Sequence, residues 1–272
     1  MEFHTNIYDL DVPHNSKFEL IGARLPSNLD IMFREKQKEL YEQYVSARLF
    51  MHKTETNGVE WNYWFNQFDD TTLQEIAEIK FRTIFFESAL MFYNIVVDLS
   101  WTLCYVCAEF ACAVDKERVS MDGMKPIEEA YKILRSAERN VTSPTAENNP
   151  FDYLLKMSPD YSPAIEFIID FWNAFGDSPI RKTYNYCKHK GKPVYTELVH
   201  HQEQRFFGLS FQDKSGTMTQ FSSDIRDVQL ELSLKDEITR LKEFDEEVLF
   251  PYVQTLLRIL EGIIKPSPFP VA

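Results

Sequence analysis

Apolar positions recur about every 3.6 residues along most of this chain, and one region alternates instead. In "DIMFREKQKELYEQYVSARLFMHK", Ile31, Leu40, Tyr41, Tyr44, Val45, Leu49 and Phe50 fall on one side of a helix that starts near Asp30. Gly58 and the polar run around it end the pattern, and "NGVEWNYWFNQFDD" reads as a loop anchored by Trp61 and Trp64. Thr72 and Glu75 fit a capping box, in which a hydroxyl and a carboxylate satisfy free backbone amides reciprocally. From there nothing interrupts a helix until about Lys116. Pro126 sits in the first turn of another, "PIEEAYKILRSAER", and "FDYLLKM" makes a short one. Pro163 enters a stronger helix that stops near Gly176. Pro179 opens the next, which Gly191 and Pro193 close.

Beyond Pro193 the period changes. "RFFGLSFQD", "GTMTQFSS" and "VQLELSL" alternate or carry β-formers, and "DKSG" suits a tight turn. Val228, Leu230, Leu232 and Leu234 share one side of an extended strand. The segment from about 203 to 234 is therefore expected to form a small antiparallel hairpin or sheet. "KDEITRLKEFDEEVLFPYVQTLLRILEGIIK" returns to helix, with a kink expected near Pro251. The expected fold class is mainly α: a helical bundle with a small antiparallel β hairpin inserted before the last helix. One domain spans 1–272, with an irregular segment over 1–29 and a tail over 265–272.

The long second helix is apolar enough to raise the question of a membrane. Glu87, Asp98 and Glu109 interrupt it at intervals of eleven residues, which places each about 20° from the last on a helix. Asn94 and Tyr105 fall near the same line. A lipid-facing helix resists three carboxylates, whereas the central helix of a soluble bundle accommodates one polar edge. The expectation is no membrane association.

Composition refines this picture. With 272 residues and 44% apolar content, the chain can bury a sizeable core. Only 8 residues are glycine, and no Gly-rich phosphate loop occurs, which disfavours nucleotide-binding folds built on such loops. Cys104 and Cys107 form a C-x-x-C without a second pair to complete a zinc set, so Cys104, Cys107, Cys112 and Cys187 read as free thiols. The N-terminus is acidic and lacks the shape of a signal peptide, which points to the cytoplasm. The net charge of −13 disfavours nucleic acid as a whole, yet Arg181, Lys182, Lys188, Lys190 and Lys192 crowd into twelve residues.

On a helix, "SPIRKTYNYCKHK" lines up Lys182, Asn185 and His189 on one face. Arg181, Tyr184 and Lys188 form the neighbouring stripe, and Ile180, Thr183 and Cys187 can face inward. Cations near a helix C-terminus are favoured by its dipole, which accounts for part of the pattern. The histidine adds chemistry, because an imidazole takes or gives a proton near neutral pH. Neighbouring cations hold a phosphate and offset the charge built up in its transfer. These parts suit metal-independent attack of a ribose 2′-hydroxyl on its phosphodiester, and equally suit plain phosphate binding.

A helical bundle whose late helix carries Asn185, Lys188 and His189 followed by Gly191 resembles the HEPN superfamily. The resemblance implies a helical domain, often dimeric, found in ribonucleases of toxin and phage-defence systems. It implies His189, Asn185 and Lys182 as catalytic candidates. It also implies Arg181, Tyr184, Lys188 and Lys190 as the phosphate or RNA contacts. The family signature is an Arg, four to six residues, then a His. Here Tyr184 and Lys182 occupy the shortest and longest of those positions, and Arg181 lies one residue beyond. Lys182 replaces the charge of an arginine without its bidentate fork. The implied partners are RNA or nucleotide, a second copy of the chain, and an antitoxin-like protein. No cofactor and no metal is called for. The alternative is a catalytically degenerate HEPN-like module for interaction or dimerisation.

Glu197-Leu198-Val199-His200 spells E-x-x-H, the spacing of carboxylate-bridged di-metal bundles. Such a site requires a second copy, which the chain lacks, so loop histidines are the expectation. The carboxylates of the long helix offer another pairing, with the lysines or histidine of the 179–190 helix.

Overall fold

The structure, a computed structural model, describes residues 28–55, 70–115, 152, 155, 159–199, 201, 206–212, 214–224 and 229–263. The expectations on Trp61, Trp64, His200, the helix after Pro126 and most of "FDYLLKM" lie outside them. The described chain is mainly helical. Its elements are α1 (Asn28–Glu55), α2 (Thr71–Asp115), α3 (Ser162–Gly176) and α4 (Pro179–His189). Then follow β1 (Val194–Tyr195), α5 (Thr196–Val199), β2 (Phe206–Gln212), β3 (Met218–Asp224) and β4 (Glu231–Leu232). The last described elements are α6 (Leu234–Glu243), a π-helical turn (Phe244–Leu249) and α7 (Phe250–Ile263).

α1 and α2 pack antiparallel. Tyr44 meets Tyr93, Phe50 stacks on Phe92, and Arg82 Nη1 donates to the Thr54 carbonyl at 3.1 Å. The buried line of α1 runs through Phe33, Leu40, Tyr44, Ala47 and Met51, with Tyr41 and Phe50 packed at its edge. α2 answers with Phe86, Leu90, Tyr93 and Val97. Each large apolar side chain buried in this way contributes about 1.5–3 kcal/mol. α3 and α7 close the core from the other side, where Phe171 lies flat on Tyr252 and the Tyr252 hydroxyl reaches Ser100 Oγ at 2.9 Å. By length and composition, a stretch of α2 is apolar enough to cross a membrane, and most of that stretch is buried against the rest of the molecule.

Two local expectations are corrected. The capping box at Thr72 and Glu75 does not form. Asp70 holds the start of α2 instead, accepting from the Thr72 backbone N–H at 2.8 Å, because aspartate caps an N-terminus as well as threonine and lies two residues earlier. Immediately before Pro251 a π-helical turn interrupts the regular helix and carries the Phe250 N–H to the Asp245 carbonyl, five residues back. Finally, the segments from 203 to 234 do not make one sheet. β2 pairs antiparallel with β3, but β4 leaves them and runs parallel to β1, with Tyr195 opposite Leu232. Leu234 is already helical, since Ser233 caps α6 by accepting from the Asp236 N–H.

Glu197 ties this short parallel pair to α6. Its two carboxylate oxygens accept from the backbone N–H groups of Leu234 and Lys235, at 2.9 and 3.0 Å. Partial burial pushes this carboxyl up, but the hydrogen bonds it accepts, those from Leu234 and Lys235 first, together with its own backbone N–H and the Thr196 hydroxyl, hold it below the usual glutamate range. The E-x-x-H glutamate is thus a helix cap supplied from 37 residues away. Among the described residues, no cluster of three or more His, Cys, Asp or Glu is placed to hold a metal. A lowered folded-state value stabilises above the unfolded value, about 4.3 for glutamate, and that contribution disappears as pH falls through the folded value. Glu197→Gln should therefore lower stability at neutral pH and flatten the acid side of a stability curve below about pH 5. Urea melts at stepped pH check this; parallel curves for the two proteins would refute it.

Candidate cleft beside α4

α4 is set by local signals. Ser178 accepts from the Arg181 N–H, Pro179 occupies the first turn, and Gly191 continues the chain at φ 110°, where a side chain would be strained. Ile180, Thr183 and Tyr184 are buried, which turns the opposite face outward. On that face Lys182, Asn185 and His189 are exposed, and so are Lys188 and Lys190. The side chains of Lys182, Asn185, His189 and Lys190 make no hydrogen bond or ion pair.

All of these residues line one cleft of about 1390 Å³, walled by α2, α3, α4, β4 and α6. Arg181, Lys182, Lys188, Lys190 and Arg240 bring five permanent cations to it, against Asp98, Asp177 and Glu237. A chain of net charge −13 thus carries a locally basic surface here.

Arg181 is the most constrained cation. Its guanidinium sits 5.2 Å from the Trp172 ring centroid, 5.6 Å from Phe175 and 5.0 Å from Tyr184. Its Nη1 donates to Asn94 Oδ1 at 2.9 Å. Cation–π contacts of this kind contribute about 0.5–2 kcal/mol each, more when desolvated. Tyr184 lies beneath two of these cations. Only 8% of it is exposed, and its ring serves as the platform for both Arg181 and Lys188. Its place on the inner edge of the Arg181–Lys188 stripe lets it reach the core.

The polar stripe of α2 faces α4. Glu87 bonds Lys192 at 3.1 Å and the Tyr195 hydroxyl at 3.2 Å, which anchors the chain just after the motif helix. Asn94 holds Arg181. Asp98 lines the cleft; burial pushes its carboxyl above the usual range, while Arg181 and Lys188 pull it back. The side chain of Glu109 lies outside the described residues. Cys187 faces Glu87 from α4, and burial with that carboxylate raises its thiol to about 11, so it is no nucleophile at neutral pH. Cys104 and Cys107 are buried, free and raised further by burial.

Two contributors have no signal in the sequence. Glu237, 2% exposed, accepts from Thr183 Oγ1 and pairs with Arg240 at the wall of the cleft. Trp172 supplies a ring beneath Arg181, though its spacing marks it only as core.

No family model matches the chain, and no curated protein or solved structure shows a significant similarity to it.

Proposed function

We propose that the cleft beside α4 binds the phosphate backbone of RNA, as a HEPN-like site, with His189 as its proton-transfer group. The observation that carries this reading is a set of unpartnered polar side chains, Lys182, Asn185, His189 and Lys190, on a basic cleft of an acidic chain. Unpaired cations on a concave surface suit an anionic ligand, and a run of them suits a repeating one. In cleavage, His189 would take the proton of a ribose 2′-hydroxyl. The hydroxyl oxygen would attack the adjacent phosphorus, the P–O5′ bond would break, the departing 5′-oxygen would take its proton from water, and the His189 imidazolium would return its proton to solvent. The products are a 2′,3′-cyclic phosphate and a 5′-hydroxyl end. Lys182 and Arg181 would offset the charge on the phosphoryl oxygens, and Asn185 would bind one of them.

The test is incubation with mixed RNA, with and without EDTA, beside His189→Ala. Expected are binding that weakens with salt, at a log–log slope of about −2 for three contacts to single-stranded phosphates, and EDTA-resistant cleavage that the variant loses. Binding without cleavage would reduce the site to a holding surface. Absence of both would remove the RNA reading.

A second reading is supported by α2. Leu73, Ile84 and Met91 are each about half exposed and lie within about 20° of one another around the helix. Such a stripe suits a helical interaction surface, including one between two copies of the chain. Light scattering of the wild type and Ile84→Glu distinguishes a monomer from an assembly held by this face.

A further inference from the structure

Asp98 is an anomaly in a cleft read as an anion site. Its carboxylate lines the cleft and is half-buried, yet it makes no hydrogen bond or ion pair. Arg181 and Lys188 act on it only through space. The other acids of the cleft differ. Glu237 is held by Thr183 and Arg240, and Asp177 is exposed at the end of α3. Arg181 is already committed to Asn94 and to three rings, so it does not swing to neutralise Asp98. A half-buried carboxylate without donors is costly, and beside a bound phosphate it is also repulsive. It becomes favourable when the ligand itself brings donors to it.

We propose that Asp98 is the specificity-determining residue of the cleft and reads guanine in a single-stranded RNA whose phosphates lie on the neighbouring cations. This inference rests on the RNA reading of the same cleft. The chemistry singles out one base. A carboxylate offers two acceptor oxygens and no donor. Guanine presents N1–H and N2–H side by side on its Watson–Crick edge, which matches both oxygens at once. Adenine and cytosine pair one amino group with a ring nitrogen acceptor, whose lone pair opposes the second oxygen. Uracil flanks its single N–H with two carbonyls. Single-stranded RNA leaves this edge free to be read. Asp98 comes from α2, the cations come from α4, and the two helices pack directly. Asp98, Arg181 and Lys188 line the same cleft, so a strand held there by its phosphates can present a base edge to Asp98.

The test uses labelled oligouridine carrying one central G, A, C or inosine, titrated against the full chain and read by fluorescence anisotropy. The wild type is expected to bind the G oligonucleotide about tenfold more tightly than the A, C or all-U ones. Inosine, which lacks the N2 amino group, loses most of that gain. Asp98→Asn is expected to abolish the preference while keeping or strengthening affinity for all-U, since it removes a negative charge. The variant breaks no hydrogen bond of the fold, and the inosine comparison is made on the wild type, so neither readout depends on the other. Binding without base preference, or a preference that survives in Asp98→Asn, overturns the assignment of guanine and leaves the phosphate reading standing. No binding of any oligonucleotide overturns both.

Discussion

Asp245→Ala is expected to cost about 3–5 kcal/mol of stability, enough to leave much of a marginally stable chain unfolded. Asp245 sits in the π-helical turn, inside the core. Its carboxylate accepts from Arg48 Nε at 2.7 Å, from the Tyr44 hydroxyl at 2.8 Å and from the Tyr93 hydroxyl at 2.8 Å. One side chain thus joins α1, α2 and the last helix. Burial pushes the Asp245 carboxyl up, against the pull of Arg48 and the two phenol donors. Truncation strands a guanidinium that is only 8% exposed and whose Nη1 already makes no hydrogen bond. It also orphans two buried phenols. Replacing both ends of the ion pair, as Arg48→Met with Asp245→Leu, removes the charge with its partner and should recover the part of the loss due to the stranded guanidinium, while the two phenols stay unpaired. Urea melts of the two single variants and the double decide the matter. A single-variant loss below about 1 kcal/mol would mean that water reaches the site and that the pair is ordinary.

Arg181→Ala should be the most damaging change in the cleft, acting on fold and ligand together. It removes the donor to Asn94 Oδ1, and Asn94 is fully buried. Leaving a buried acceptor unpaired costs about 1–3 kcal/mol. It also empties the cage formed by Trp172, Phe175 and Tyr184. RNA affinity should fall and the salt slope should shallow by about one phosphate contact. Arg181→Lys separates the two effects. It restores the charge, and with it most of the salt slope. The fork that bonds Asn94 while stacking on rings is not restored, so stability recovers less. Equal recovery of stability and binding in the lysine variant would show that charge alone matters there.

Local signals were legible in the sequence and distant ones were not. Ser178, Pro179 and Gly191 mark α4 because a cap, a fixed φ and a positive φ each act within a turn of the helix. The polar line of α2 was legible too, since Glu87, Asn94 and Asp98 interrupt an apolar run at helical spacing. Its destination was not: that Asn94 meets Arg181 depends on how α2 and α4 pack. Glu197 was misleading for the same reason. Its spacing to His200 suggests metal ligation, while its true partners are two amides at the start of α6. Asp245 was hidden best of all. In "EFDEEVL" it looks like one carboxylate of a solvated face, and only the packing of α1 and α2 against it reveals its partners.

That turn has a further consequence for the register of burial. Before it, Leu234, Glu237, Leu241 and Phe244 mark the inward side of the helix; after it, Leu249, Val253, Leu256 and Leu260 do. A regular helix carrying the first set forward would bury Val248, which is 45% exposed, and would leave out Leu249, which is fully enclosed. The extra residue in the turn moves the inward line by one position. The final segment of the chain is thus two amphipathic helices in different phase, spliced end to end. Its frame changes at the carboxylate that binds all three partners together.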